Sequence, residues 1–408
     1  MILYWFLLAV VALFAGTTLL PVSDLLAGDR VTLAAYLYLG LCSIAFLVGY
    51  ALLPWRGINN AGHKRSPLSS SDTTIPMRHM MLLALIAAAG LAVLLLQINA
   101  TVGLLRYFVL ALAASGDAAN QLRYYTVMLP SSEGGYPGYI KMLNWGVVVA
   151  PFSLLALMSR GYRVRGRMCV GLGVLIGMLY LAGTLLRMDR LSVLALAPVT
   201  LSVFRKAGKR GRAVALVGIA LLLASVVVQS VRRSGGQGMM GWASLYLQLG
   251  MVNLSLLMKA RIHYAYGLSG IFSFAAWIFK AFGIYVVPDL PGFTSSWDTA
   301  QNGFGYMFHD FGWFGTVVFF LAGIFSRRID QLAGTNINRE GEGQWRELQW
   351  ILSYGAASIA VVPAYSGFDF WVLLIGVVVT VRYIVKSISH GQRVSTAVPG
   401  FPSNSIER

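Results

Sequence analysis

The chain begins with MILYWFLLAVVALFAGTTLL (1–20), and apolar runs of similar length recur along most of the sequence. A run of roughly 18–20 apolar residues is long enough to cross the hydrocarbon core of a bilayer as one α-helix. With 57% hydrophobic residues, 12% charged residues and a mean hydropathy of +0.69, the composition excludes an ordinary soluble protein. The sequence therefore predicts an all-α, polytopic integral membrane protein.

We predict about ten transmembrane helices in one domain, residues 1–386, followed by a polar cytoplasmic tail at 387–408. The first run is taken as a span because no small-residue cleavage site follows a basic n-region, as in a signal peptide. Cys42 and Cys169 fall inside spans and suggest neither a disulfide framework nor a metal site. The predicted spans are 1–20, 31–53, 79–97, 142–158, 169–186, 191–204, 213–231, 314–326, 350–364 and 369–385.

Lysine and arginine are concentrated in loops that alternate along the chain. Because these residues favour the cytoplasmic side, the alternation predicts that both termini are cytoplasmic. It also accounts for the net charge of +17 without a nucleic-acid partner. Two long segments, 98–141 and 232–312, are then left on the outer side. The basic loops lie near 56–78, 160–167, 205–212 and 327–346, and the tail after Lys386 adds to them.

The second outer segment contains two moderately apolar stretches, near 239–258 and 268–287. They could form one more hairpin, which would give twelve spans, or they could be helices that lie in the membrane interface. Polar residues such as Gln248 and Asn253 make them poorer spans, and aromatic residues such as Trp242 suit the headgroup level. We favour the interfacial position.

Charged residues also occur on the predicted outer side, at the tip of the hairpin GTLLRMDRLSVL (183–194). Arg187 and Arg190 are three residues apart, which would place them on one helical face, and guanidinium groups suit phosphate oxygens. This favours an anion site, to which Arg232 and Arg233 would contribute from the end of the next span. The alternative is that these side chains only snorkel to the surface, with Asp189 neutralising one of them.

The end of the second outer segment reads PDLPGFTSSWDTAQNGFGYMFHDFGWFG (288–315). Its glycines, prolines and aromatic residues predict a turn-rich region that holds Asp298, His309 and Asp310 close to the outer membrane face. Aromatic rings with a few carboxylates and a histidine are typical of a sugar site. Alternatively, the aromatic residues form only an interfacial belt, and these are Trp297, Phe304, Tyr306 and Trp313.

Three stretches together resemble one family: HDFGWFGTVVFFLAGIFSRR, AGTLLRMDRLSVLALAPVTL and ARIHYAYGLSG, which contains Arg261. They are similar to elements of bacterial oligosaccharide repeat-unit polymerases, the O-antigen polymerases of the Wzy type. The order of spans and loops resembles that family over about residues 100–385, with about 40 residues of motif. The chain departs from the family at 184–186, where a Gly/Ser-Arg turn is common, so more than one arginine could match.

The resemblance implies a polytopic glycosyltransferase of the bacterial inner membrane, on a GT-C-like helical scaffold, with its active site on the periplasmic side. Its substrates would be glycans linked to undecaprenyl pyrophosphate, which it would join into O-antigen or a related surface polysaccharide of the lipopolysaccharide type. A chain-length regulator and membrane lipid would be its partners, with no nucleic acid.

Such a transfer needs positive charge beside the departing pyrophosphate and a base for the attacking sugar hydroxyl. The outer segments contain no Asp-x-Asp pair, so we expect no metal or other cofactor, with arginine in the place of a metal ion. Histidine exchanges protons near neutral pH, which favours His309, or its neighbour Asp310, as the base. Alternatively, His309 only hydrogen-bonds the turn and Asp310 caps the following helix.

The predicted site combines these groups with further residues of the outer segments. The first outer segment is expected to be a plain amphipathic helix that lies in the interface, and the alternative is a lid over the acceptor. The predicted catalytic residues are His309, Asp310, Arg187 and Arg190; the predicted substrate-binding residues are Arg232, Arg233, Arg261, His263 (also the second candidate for the base), Tyr264, Arg123 and Asp298.

Two other functions fit parts of the pattern. An O-antigen ligase would use the same donor and differ only in its acceptor. A flippase or transporter of lipid-linked oligosaccharide would place charges inside its spans along a path. The ionisable residues here gather instead at the outer helix ends, which favours a surface site on one side of the membrane.

Overall fold

A computed structural model describes residues 1–20, 30–53, 74–113, 143–187, 191–206, 238–260, 264–269, 302–335, 344–360 and 368–397, with a few single positions between them. Within these ranges the fold is all-α, as predicted. The helices are α1 (Ile2–Thr18), α2 (Leu33–Leu52), α3 (Met77–Thr101), α4 (Leu104–Ala113), α5 (Gly146–Ser159), α6 (Arg167–Arg187), α7 (Leu191–Lys206), α8 (Gly238–Lys259), α9 (Gly303–Phe311), α10 (Gly315–Thr335), α11 (Gln344–Ser358) and α12 (Phe368–Ala397), and a 3₁₀ turn at Gly312–Phe314 joins α9 to α10.

Nine of the predicted spans coincide with helices, namely α1–α3, α5–α7 and α10–α12, although α11 begins about six residues before the predicted boundary at 350. The tenth, 213–231, lies outside the described residues. Among the described residues, five segments are both long and apolar enough to cross a bilayer, and the chain is a multi-pass membrane protein. Ten or twelve spans, and the GT-C-like scaffold, stay predictions. The five segments that are long and apolar enough are Leu33–Leu52, Met77–Thr101, Arg167–Arg187, Gly303–Ala333 and Phe370–His390.

Polar contacts at one end of the bundle join helices that are distant in sequence. The carboxylate of Asp330, late in α10, accepts hydrogen bonds from Tyr50 Oη at 2.8 Å, Gln349 Nε2 at 2.6 Å and the backbone nitrogen of Met1 at 2.8 Å. The start of α1, the end of α2, the end of α10 and the start of α11 therefore meet here.

Further polar contacts at the same end of the bundle join α5, α11, α3 and α12. Arg160, which follows α5, binds Glu347 of α11 with two hydrogen bonds of 2.8 and 2.6 Å. The Ile75 amide donates to the Arg163 carbonyl at 3.0 Å, and Arg78 donates to Ser387 at 3.2 Å. Because the loops at this end are rich in arginine, we call it the basic end. Met1 and the late part of α12 both lie at it, as the predicted alternation requires.

Two large apolar clusters form most of the core of the described residues, and two smaller ones surround Tyr107 and Leu249. The first packs α3, α5, α6, α7 and α12 around residues such as Phe152 and Tyr180, and the second packs α1, α2, α8, α9 and α10 around Phe6 and Phe319. α11 and the residues that follow it contribute to both. In the second cluster α2 and α10 lie very close together at Gly49. This residue has no side chain, and a methyl group there would overlap the backbone of α10.

α8 packs against the ends of its neighbours that lie opposite the basic end. Gln248 Nε2 donates to the carbonyl oxygens of Gly16 and Leu20, both at 3.3 Å, and Ser255 Oγ accepts from the Thr32 amide at 3.0 Å. These partners are the end of α1 and the N-cap of α2. α8 is not among the five segments that could cross a bilayer. The interfacial position of α8 stays a prediction.

Candidate functional site

Two groups of buried polar residues lie at the end of the bundle opposite the basic end, which we call the distal end. One surrounds α9, at the start of α10, and the other surrounds Arg187, at the end of α6. The sequence predicted both positions as parts of a site.

α9 is a helix because its first turn is capped and its flanks are fixed. Asn302 Oδ1 accepts from the Gly305 amide at 2.8 Å, which is an N-cap, and the Gly303 amide donates to the Ile359 carbonyl at 2.8 Å. Gly312 ends the helix with a φ of +55°, a conformation that glycine adopts readily. The prediction that His309 and Asp310 occupy a turn was therefore wrong, since both lie in the last turn of this buried helix.

A hydroxyl group from another segment connects the two predicted side chains. Ser269 Oγ lies 2.9 Å from His309 Nδ1 and donates a hydrogen bond to Asp310 Oδ1, while His309 Nδ1 and Asp310 Oδ1 are 3.4 Å apart. His309 and Asp310 are almost completely buried, with exposed fractions of 1% and 0%. We call these three residues the 269/309/310 cluster.

With Asp310 ionised and His309 neutral, the contacts of Ser269 favour one tautomer of the imidazole ring. An ionised carboxylate only accepts hydrogen bonds, so the single Ser269 proton is directed to Asp310. The Ser269 oxygen can then accept from His309 Nδ1–H, which leaves Nε2 as the nitrogen with a free electron pair. A neutral His309 in this tautomer can take up a proton at Nε2.

This arrangement differs from a serine hydrolase triad. In a triad the serine and the carboxylate contact opposite nitrogens of the histidine. Here Ser269 contacts both the carboxylate and Nδ1, on one side of the ring. Ser269 is therefore placed to orient His309. The sequence offered a helix cap as the alternative role of Asp310, and the hydrogen bond from Ser269 is a further contact that this role does not include.

The segment 264–269 is fixed against the end of α9 by its backbone. The Tyr266 amide donates to the Asp310 carbonyl at 3.0 Å, and Tyr266 and Gly267 have positive φ values of +49° and +90°. Tyr264 packs on Gly312 so closely that a methyl group there would overlap its phenol ring. Tyr264, predicted to bind substrate, thus lies beside the 269/309/310 cluster and is 42% exposed.

Arg187 is enclosed near the start of α5. Its Nη1 donates to Asn144 Oδ1 at 2.9 Å, and its guanidinium carbon lies 4.2 Å from the centre of the Trp145 ring. Tyr107 Oη, from α4, donates to the carbonyl of the preceding residue, Leu186. The Arg187 side chain is only 1% exposed, so it does not snorkel along the surface. An amide and an indole ring thus hold the guanidinium group in a fixed position.

Arg187 and the 269/309/310 cluster share the distal end but belong to different packing clusters. Trp145 belongs to the first core cluster, whereas Met307 and Phe308, on the helix of His309, belong to the second. A common hollow for both therefore stays a prediction. The other predicted site residues lie outside the described residues, and they are Arg190, Arg232, Arg233, Arg261, His263, Arg123 and Asp298.

The aromatic residues near α9 do not form a single interfacial belt. Phe304 is fully buried and stacks on Phe319 with ring centres 5.0 Å apart, so its place is in the core. Trp313 is half exposed and contacts Tyr38 edge to face. The belt interpretation is wrong for Phe304, while Trp297 lies outside the described residues.

Sequence reasoning missed the residues that hold the predicted ones. Ser269 is 40 positions from His309, and Asn144 and Trp145 are more than 40 from Arg187. A lone serine or asparagine in an apolar chain gives no signal of its partner. Asn144 and Trp145 do stand at the predicted start of a span, which was the only available hint.

In the described ranges, no three histidine, cysteine or acidic side chains are grouped to hold a metal ion. Asp289 and Asp298 fall outside those ranges, so the predicted independence from metal is untested. The chain matches no protein-family model, and no curated protein and no solved structure is significantly similar to it.

Proposed function

We propose that the chain is a membrane glycosyltransferase of the O-antigen polymerase type, which joins repeat units carried on undecaprenyl pyrophosphate. Two kinds of observation support this. The sequence resembles such polymerases in three stretches, one of which contains His309 and another Arg187. In the structure these two residues belong to the two groups of buried polar residues at the distal end.

One observation carries the proposal: a buried histidine in contact with Ser269 and Asp310 lies at the end of the bundle opposite the basic loops. If the basic end is cytoplasmic, as the distribution of arginine predicts, His309 lies at the periplasmic face. That is where assembled, lipid-linked repeat units would be joined.

In the proposed reaction His309 is the general base. Nε2 takes the proton of the acceptor hydroxyl, whose oxygen forms the new bond to the anomeric carbon of the donor sugar. The bond from that carbon to the pyrophosphate oxygen breaks, and undecaprenyl pyrophosphate leaves with its electron pair. Ser269 holds the ring in the tautomer that can accept the proton.

Arg187 is assigned to the leaving group. A guanidinium that is already oriented by Asn144 and Trp145 needs no rearrangement to stabilise negative charge as it develops on a pyrophosphate. We propose that Arg190, Arg232, Arg233 and Arg261 add to this charge, in place of a metal ion, and that Tyr264 contacts a sugar.

The test is elongation of a purified undecaprenyl-pyrophosphate-linked repeat unit by the purified protein in liposomes, with and without EDTA. We expect a ladder of products that differ by one repeat unit, unaffected by the chelator. Absence of a ladder from folded protein contradicts the polymerase, and dependence on a divalent metal contradicts the role given to arginine.

The deletion phenotype separates this function from its two rivals. Loss of a polymerase leaves one repeat unit attached to the final acceptor, whereas loss of a ligase leaves none attached. Loss of a flippase leaves the lipid-linked unit on the cytoplasmic side. We expect the first result.

A further inference from the structure

An apolar cavity of about 260 Å³ lies between the two core clusters and is lined by residues of α1, α2, α10, α11 and α12. Ser326 is the only residue with a hydroxyl group among the described residues that line it; the others are almost all aliphatic or aromatic, such as Phe6, Val318 and Ala356. A cavity with so few polar partners has no means of holding water and favours hydrocarbon.

The cavity is elongated along the helices. On α10 its lining runs from Val318 to Ser326, which is about 12 Å at 1.5 Å per residue. Along α11 it runs from Ile359, which directly follows the helix at the distal end, to Leu352, towards the basic end. The long axis of the cavity is therefore roughly parallel to the helices, in the direction of a lipid chain.

The distal end of the cavity is next to the 269/309/310 cluster. Met307, two residues before His309 on α9, lines the cavity, and so does Ile271, two residues after Ser269. A molecule with its chain in the cavity would thus have its polar head at the distal end, within a few residues of the cluster. Any bilayer lipid could fill an apolar cavity, but only the lipid-linked substrate must also place a reacting group beside His309.

We propose that this cavity holds the polyprenyl chain of a lipid-linked glycan and is specific for the carrier lipid over ordinary bilayer lipids. The proposal rests on the proposed function of the same site. The part of the chain nearest the pyrophosphate lies at Met307 and Val318, and the remainder extends between α10 and α11.

The test uses a matched pair of substitutions on α10. Val318 lines the cavity, whereas its neighbour Val317 is 50% exposed on the outer surface of the helix. V318F fills the cavity and V317F adds the same ring outside it. Both are compared with the native chain for binding of radiolabelled undecaprenyl monophosphate to purified protein in phospholipid nanodiscs.

We expect V318F to weaken binding by about tenfold or more, because the chain loses part of its buried apolar contact, and V317F to leave it unchanged. Equal binding by V318F and the native chain overturns the proposal. So does displacement of the probe by phosphatidylglycerol at similar concentrations, which would make the cavity a general lipid site.

If V318F unfolds at a lower temperature than the native protein, a milder pair of substitutions tests whether the cavity binds the probe. Ala356 lines the cavity on α11, and Ala357, half-buried, follows it without being among the described lining residues. We expect A356L to weaken binding and A357L to preserve it. Preserved binding in A356L overturns the proposal.

The two proposals can fail separately. If the native protein makes no polymer but binds the probe in a Val318-dependent way, the polymerase is wrong and the polyprenyl site stands. If polymer forms and V318F both binds and elongates normally, the site is wrong and the polymerase stands.

Discussion

The two ends of the helical bundle use charge in different ways. At the basic end, buried charges are paired with opposite charges, as in Arg160 with Glu347. At the distal end, Arg187 is held by an amide and an indole ring, and Asp310 accepts from a serine. The ion pair joins two helices, whereas Arg187 and Asp310 are residues that the proposed function uses. The comparison separates residues that hold the fold from residues proposed to act.

The largest effect on activity is expected for Arg187→Ala. Removing a positive charge that is placed beforehand at a departing pyrophosphate should lower elongation by about 10³-fold, so that no polymer is detected. Arg167→Ala, an exposed arginine at the other end of the same helix, is the matched control and should retain activity. The rate of elongation and the amount of folded protein in membranes are measured together. Normal polymer from Arg187→Ala would break the comparison.

A smaller effect is expected for His309→Ala, about 10²-fold, at the lower end for a general base because Asp310 remains nearby. Ser269→Ala should cost about tenfold, since one oriented hydrogen bond contributes on the order of 1 kcal/mol. Single-turnover rates on the purified lipid-linked unit measure both. If the double change His309→Ala and Asp310→Ala keeps full activity, neither residue is the base.

The smallest effect on activity is expected at the basic end. Glu347→Ala leaves Arg160 without its partner in a buried position, which should lower stability by about 3–5 kcal/mol. Its thermal unfolding in detergent should begin at a lower temperature, while the rate per folded molecule stays near that of the native chain. Glu347→Gln, which keeps the shape, should lose less stability. A change in rate with unchanged unfolding would mean that this end also acts in the reaction.

Much of the fold could be predicted from the sequence because a membrane span is a local property. A run such as 79–97 carries its own signal, and the helix α3 contains it. The turn predicted around His309 failed because glycines at 303, 305 and 312 suggested irregular structure, whereas the Asn302 cap and close packing on Gly250 of α8 make this segment a helix.

The sequence alone determined that this is a helical membrane protein and singled out Arg187, His309 and Asp310, because residue type and apolar length carry that information locally. Only the tertiary structure decided that Ser269 directs the imidazole proton, that Asn144 and Trp145 enclose Arg187, and that an apolar cavity runs up to α9. These contacts join positions that are far apart in sequence, and they exist only once the helices pack.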